Sequence, residues 1–512
     1  MNVQSLLRPP ANAEHPSDPI DTRFRAGLIV GLLLAIASLV GEGWFRGNIG
    51  INVIVQVVLP LIVCRRYSND WLDTLTLLTI ADIWTNGFST LMDDMGLPGG
   101  RVYLFAATMV LMLIRSLQKK RSIPEGSGLI DGGAKSYSAA WILFYALIVP
   151  PFLAAYSIFT RGTAIDKTVW DLHFVAPLLL FFPIRRMLVR NSGFFMGWMI
   201  ALAIALSFLA LTISLTPMDI SAQIYGNLDG DMEEFVESTL SAREHVGGGT
   251  TQRFGGITLL VTFIGFFFGM LCTADFTRKM RERMLGAALC IVCIIHLCVD
   301  WMRGPLLSIL GVVLLLLFAA TLRHPARRFV PRLLAMLAVV ATLGISIMAM
   351  LVPAGLARFT ENSNSISAYM GDARGEIAPI MLAAFRERPL MGQGVGVPPP
   401  GYSQLAGEGT LRFELSYYIV LYRTGLIGMM LVMVPIAFLY RTLFIRTGPL
   451  GGSAIFSWEG KFHLSLLLSA LTTTISAYVN PYLKTGYLML IIASYWAYTE
   501  HLKENIAWNR SP

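Results

Sequence analysis

Apolar residues in this chain fall in long runs, and the stretches between them are short, polar and often basic. A hydrocarbon layer about 30 Å thick is crossed by roughly 20 apolar residues in a helix. On that measure the runs predict fourteen membrane-spanning helices, over 27–43, 49–64, 71–92, 102–118, 138–157, 169–184, 193–216, 254–274, 284–301, 304–322, 333–353, 416–440, 462–479 and 483–500. The second and sixth are short. The third is the least apolar and holds Asp73 and Asp82. The expected fold class is therefore an all-α polytopic integral membrane protein. Tails lie at 1–26 and 501–512, one connecting loop at 217–253, and one long loop at 354–415, expected to contain an amphipathic helix.

Composition and charge sharpen this picture. Of 512 residues, 55% are hydrophobic and 14% charged, against roughly 25% charged in soluble domains, and mean hydropathy is +0.61. The net charge of +8 would suggest nucleic acid in a soluble protein. Here it fits Lys and Arg retained in cytoplasmic loops, and no nucleic-acid partner is expected. With the N-terminus inside, 26 of the 40 Lys and Arg fall on the inner side, and every inner segment is basic. An extra or missing span would break the alternation after it. Both termini are thus expected in the cytoplasm. The first 22 residues, with Pro9, Pro10, Pro16 and Pro19, read as a disordered tail with no cleavable signal peptide. Cys290 and Cys293 form a lone CxxC in an apolar run, which reads as packed thiols rather than a metal or redox site. Neither metal nor cofactor is expected.

Three polar features stand against this apolar background. Arginines that the alternation assigns to the outer side, where they should be depleted, include Arg253, Arg303, Arg358, Arg374, Arg386, Arg388, Arg412 and Arg423. Charges at the membrane rim are costly and mark function, and the planar donor fork of Arg suits phosphate oxygens. For any one of them snorkelling or pairing, as of Asp300 with Arg303, explains it equally well; for the set, an anionic ligand at the outer face is favoured. The second feature is DARGEIAPIMLAAFRERPLMGQGVG, residues 372–396. Arg374, Met381, Phe385 and Arg388 share one helical stripe, which suits an amphipathic helix on the membrane surface. Pro389 should end that helix, and Gly392, Gly394 and Gly396 then allow a sharp turn. The third is RFELSYYIVLYRTGLIG, Arg412 to Gly428, with Glu414 at the mouth of a span. A carboxylate there serves as a general base or pairs with Arg412, and the residues alone favour the pair. A further acidic stretch at 230–249 reads as a surface helix followed by a glycine turn.

Taken in order, these features resemble the bacterial O-antigen ligase and O-antigen polymerase superfamily. An Arg opens one span (Arg253), and Arg303-Gly304 occupies a tight outer bend. After a long outer loop come an Arg-led helix (Arg374), a PLxGxGxG turn from Pro389 to Gly396, and a polar residue ten to eleven positions before Gly425-Leu426-Ile427-Gly428. The likeness covers roughly 250–440.

The resemblance implies an inner-membrane glycosyltransferase with its active site facing the periplasm, using an oligosaccharide on undecaprenyl diphosphate. Arg253, Arg303 and Arg374 would hold the diphosphate, with Arg386 and Arg412 as further candidates. Glu414, helped by Asp372 or Glu376, would take the acceptor proton beside Arg303 and Arg374. Ligases carry a histidine where this chain has Glu414, so the resemblance points to a polymerase. It would be inverting and metal-independent, and would extend a growing glycan chain for an O-antigen, capsule or exopolysaccharide. Its partners would be membrane lipids and, as candidates, a chain-length regulator and a flippase. The alternatives are a ligase onto another acceptor and, from another class, a lipid-linked oligosaccharide flippase. A flippase needs charge through the whole membrane, whereas ionisable groups inside the runs are few: Asp73, Asp82 and His296.

Overall fold

The computed structural model describes residues 19–44, 49–68, 70–85, 100–122, 137–215, 259–275, 280–299, 303–322, 330–335, 373–398, 416–444, 457–478 and 486–508, with a few positions between 338 and 346. Every regular element among them is a helix. The elements are α1 (Pro19–Trp44), α2 (49–67, with a π-helical turn at Ile54–Val58), α3 (Trp71–Thr85) and α4 (Gly100–Ser122). Then come α5 (137–161, with a π-helical turn at Phe144–Ile148), α6 (165–180, whose second half is the 3₁₀ segment His173–Leu180) and α7 (Phe181–Leu215). They are followed by α8 (Leu259–Ala274), α9 (Met280–Val299), α10 (Arg303–Thr321), α11 (Ala373–Glu387), α12 (Ser416–Phe444), α13 (Trp458–Ser476) and α14 (Gly486–Trp508). A helix overlies each expected span except the eleventh, of which most lies outside the described residues. The acidic stretch at 230–249 also lies outside them.

Among the described residues, three helical stretches are long and apolar enough to cross a membrane: Ala139–Arg161, His173–Phe208 and Ser416–Phe444. The second joins what the sequence divides into two spans. One residue, Asn191 (φ −157°, ψ 56°), leaves helical geometry, so one helix follows another with no loop between. This stretch is 78% buried, against 17% and 22% for the other two. It is therefore the centre of the molecule, with α1, α8, α9, α13 and α14 packed around α7.

Small residues let the helices approach closely, as expected where lipid offers no hydrophobic drive between apolar surfaces. Gly27 and Gly31 of α1 face Gly197 and Ala201 of α7. A Cβ on Gly27 would sit 2.0 Å from the Phe194 carbonyl oxygen, and one on Gly197 would sit 2.0 Å from that of Phe24. Gly265 and Gly269 of α8 face α9 in the same way, and Cys293 Sγ lies 2.8 Å from where a Gly265 Cβ would stand. Cys290 and Cys293 are wholly buried and free, as packed thiols should be. Asp73, Asp82 and His296 are also buried, His296 with its Nδ1 2.9 Å from Thr262 Oγ1.

One polar node gathers the ends of α3, α4 and α7. Asp70 Oδ1 accepts the Leu72 and Asp73 N–H groups (2.9 and 3.1 Å), capping α3. Asp70 Oδ2 accepts from Arg115, from Arg186 (2.5 Å) and from Arg190 (2.9 Å). Partial burial alone would raise the Asp70 carboxyl. The Asp73 N–H and the three guanidiniums outweigh this and hold it below the usual carboxylate range. Nearby, Arg23 donates to the Arg190 carbonyl (3.0 Å), Ser192 bonds Glu459, His501 approaches Glu459 (3.6 Å), and Lys461 pairs with Asp275 in full burial.

The packing yields a first prediction. Gly27→Val should destabilise the folded protein by about 1–3 kcal/mol, the usual cost of overpacking. Gly311→Ala, at a position with nothing within 4 Å of the added carbon, should leave stability unchanged. Thermal unfolding of both variants in detergent would check this, and equal midpoints would contradict the close-approach account.

Candidate functional site

A second polar node lies near the start of α6, well before Arg186 along the same helical run. Asp171 and Arg186 are separated by 15 residues of helix, roughly 22 Å or more along an axis. That is most of the thickness of a hydrocarbon core.

At this end α12 is broken. Gly425 adopts φ 63°, ψ −159°, in the left-handed region that glycine tolerates and other residues reach only under strain. A break inside an apolar helix strips backbone carbonyls before it and N–H groups after it of their usual partners. In this chain the segment Pro389–Gly394 supplies replacements. Gln393 N–H donates to the Tyr422 carbonyl (2.8 Å) and Gly394 N–H to that of Arg423 (2.9 Å). Beyond the break, Leu426 N–H donates to the Pro389 carbonyl (2.8 Å) and Ile427 N–H to that of Leu390 (3.1 Å). The approach is so close that a Cβ on Gly392 would stand 2.6 Å from the Tyr422 carbonyl oxygen. As the sequence suggested, α11 ends just before Pro389, and Gly392, Gly394 and Gly396 all have positive φ (69°, 104° and 81°).

Side chains from α5 and α6 clamp the turn from its other side. Arg161 donates through Nε to the Gln393 carbonyl (2.9 Å) and through a terminal nitrogen to Gln393 Oε1 (2.8 Å). The Gln393 amide donates in turn to the Ala384 carbonyl (2.6 Å), tying the turn to α11. Tyr156 donates to the Gly392 carbonyl (3.1 Å), and Ser157 accepts from Val395 N–H (2.7 Å). Asp171 accepts from Gly396 N–H (3.0 Å) and forms an ion pair with Arg423, which is 1% exposed. Such a pair, removed from water, holds geometry; breaking it by removing one partner is what costs most.

The arrangement fixes α11 against the first turns of α12. Met381 and Ala384 pack on Ile419 and Tyr422, so the buried face of α11 meets protein. Arg386 and Arg388 are left exposed, at the edge of the node. Of the residues singled out from the sequence, Arg303 opens α10 and Arg374 stands in the first turn of α11, which fixes their backbone positions. Arg253, Asp372, Arg412 and Glu414 lie outside the described residues; α12 begins two residues after Glu414, at Ser416. Arg423 was visible in the sequence as an outer arginine. Tyr156, Ser157, Arg161, Asp171 and Gln393 carried no local signal as site residues, because each matters through a partner far away in the chain.

In comparisons with known proteins, no family model, no curated protein and no solved structure matches this chain. The helices nonetheless define a class: this is an all-α membrane protein with a broken, cross-bonded helix at one end.

The node gives a second prediction. Asp171→Asn keeps the shape but removes the charge facing Arg423, and should destabilise by about 3–5 kcal/mol. Adding Arg423→Gln should restore more than half of that loss, because neither side then carries charge. Thermal unfolding in detergent reads both, and strictly additive losses would contradict the pairing.

Proposed function

We propose that this protein is a polytopic enzyme of the bacterial inner membrane, with about 14 transmembrane helices and both termini in the cytoplasm. It polymerises oligosaccharide repeat units carried on undecaprenyl diphosphate, at the periplasmic face. The observation that carries this reading is the junction of two motifs. The PLxGxGxG turn, on which with the Gly-Leu-Ile-Gly run the resemblance to O-antigen polymerases and ligases rests, is joined by two backbone hydrogen bonds to that run and by two more to Tyr422 and Arg423 just before it. Irregular backbone at membrane depth is tolerated where it lines a cavity or is buried in protein, and it accompanies function.

The charge alternation supports the same sidedness. Arg23, Asp70, Arg115, Arg186, Arg190, Asp275, Glu459, Lys461 and His501, which meet or neighbour one another around the first node, all fall at segments assigned inside. Arg161, Asp171, the turn and Arg423, which meet in the second node, all fall at the outer side. Two sets of contacts, many of them long-range, thus respect a division drawn from loop charge alone.

The chemistry is displacement at the anomeric carbon. A sugar hydroxyl attacks that carbon, the bond to the lipid diphosphate breaks, and the diphosphate leaves as an anion. Arg253, Arg303 and Arg374 stabilise the departing charge, with Arg386 and Arg412 at the rim; preorganised donors in a partly desolvated site are effective for this. Glu414, with Asp372 or Glu376 beside it, accepts the hydroxyl proton. The node of Arg423, Asp171 and Arg161 does none of this chemistry. It sets the position of α11, and so of Arg374 and Arg386, relative to the mouth of α12.

Incubation of purified protein with lipid-linked repeat units should give a ladder of longer lipid-linked products. Glu414→Gln should cut that rate by about 10²–10⁴-fold, the range for loss of a general base. Lys in place of Arg253, Arg303 or Arg374 should also lose activity, because a point charge does not replace a bidentate fork. No elongation, but transfer of preformed polymer to another acceptor, would indicate the ligase. Movement of intact lipid-linked units across vesicles without bond cleavage would indicate the flippase.

A further inference from the structure

The node around Asp70 has more positive charge than its carboxylates neutralise. Three guanidiniums, each on a different turn of helix, converge on a single oxygen, Asp70 Oδ2. The other oxygen is taken by the cap of α3. The next carboxylate, Asp73, lies 3.9 Å from Arg190 and is 2% exposed. Glu459 is engaged elsewhere, by Ser192 and His501. Among the described residues, three arginines against Asp70 and Asp73 leave a surplus of at least one positive charge.

That surplus is accessible. The side chains of Arg115 and Arg186 are each 29% exposed and that of Arg190 is 41% exposed. Each guanidinium has five N–H donors, and only one nitrogen of each is used on Asp70. Convergent, half-exposed forks of this kind match the oxygens of a phosphate, which can accept two parallel bonds from one Arg.

The surroundings favour a lipid as the source of that phosphate. Ile114 (44% exposed), next to Arg115 on α4, and Val110 (55% exposed), one turn before Ile114, form an exposed apolar strip that flanks the charged cluster. Trp71, at the start of α3, is 48% exposed with the Arg65 guanidinium 5.3 Å above its ring. An exposed Trp beside basic residues is the composition of a membrane–water boundary. A free anion would use the arginines alone; a phospholipid uses the arginines and the strip together.

We propose that Arg115, Arg186 and Arg190 form a site for the phosphate of an anionic glycerophospholipid, its acyl chains lying along the exposed apolar side of α4. The site lies just before the Asn191 break of the α6–α7 run, well removed along it from Asp171 and the glycine turn, and it does not depend on the polymerase reading. By joining α4 and α7 through one headgroup, the lipid fastens the part of the bundle where like charges are crowded.

The test uses the full-length protein in a neutral detergent, heated with phosphatidylglycerol, with phosphatidylcholine, or with inorganic phosphate or pyrophosphate. Phosphatidylglycerol should raise the unfolding temperature, and phosphatidylcholine should not. Arg115→Gln and Arg190→Gln each leave Asp70 two arginines, so the fold persists. Each should raise the phosphatidylglycerol concentration needed for half-maximal protection about fivefold, one basic residue's share of attraction to an anionic lipid. Native mass spectrometry gives a second reading: the parent protein should retain anionic lipid through purification and the double variant should not. Equal protection of parent and variants, or equal protection by phosphatidylcholine, would overturn the site. Protection by inorganic phosphate or pyrophosphate with none from lipid would overturn the lipid assignment.

Discussion

A backbone carbonyl or N–H group set in hydrocarbon has no water to bond, so it must be satisfied by protein. The break at Gly425 violates the simplest way of meeting that demand, the unbroken helix, and the chain answers with the turn at 389–394. Much else follows from this exchange. The turn can come so close only because Gly392 and Gly425 lack side chains. Gln393, once in place, reaches Arg161 on one side and the end of α11 on the other. Asp171 then serves two masters, the Gly396 N–H and the Arg423 guanidinium. Four elements, α5, α6, α11 and α12, are thereby fixed around a feature that a membrane helix would ordinarily avoid.

The rest of the bundle is built for rigidity around that node. Glycine-lined contacts between α1 and α7 and between α8 and α9 bring backbones near enough for carbonyl oxygens to touch the facing helix. Contacts of this kind tolerate little change in side-chain volume, which is what a stable platform needs. At the far end the constraint is electrostatic: Asp70 holds three arginines, and Lys461 holds Asp275. The proposed reaction on a large lipid-linked substrate would benefit from such a frame, since reacting groups must keep their spacing while long glycan chains pass.

Hydrophobic run length and loop charge made the helices legible in the sequence, because both are local. The turn at Pro389–Gly396 was legible too, since proline and glycine act through their own backbone. What the sequence hid is the meeting of single residues far apart. Asp171 and Arg423 are 252 positions from each other, and nothing in either neighbourhood signals the pair. Asp70 is likewise one acid in a basic loop; its three arginines read as ordinary loop charge until the fold gathers them. Loop charge at Arg185, Arg186 and Arg190 divides the sequence into two spans there; in the fold the two helices meet at Asn191 with no loop between them. Arg303 and Arg374 stand in the first turns of α10 and α11, and Glu414 precedes α12.

The central claim is that the glycine turn and the broken helix face one side of the membrane and the Asp70 node the other. Single cysteines at Ser403 and Ser122 test it most directly, in intact cells treated with a membrane-impermeant thiol reagent. The account predicts labelling at Ser403→Cys before lysis and at Ser122→Cys only after it. Labelling of both positions from the same side would contradict it.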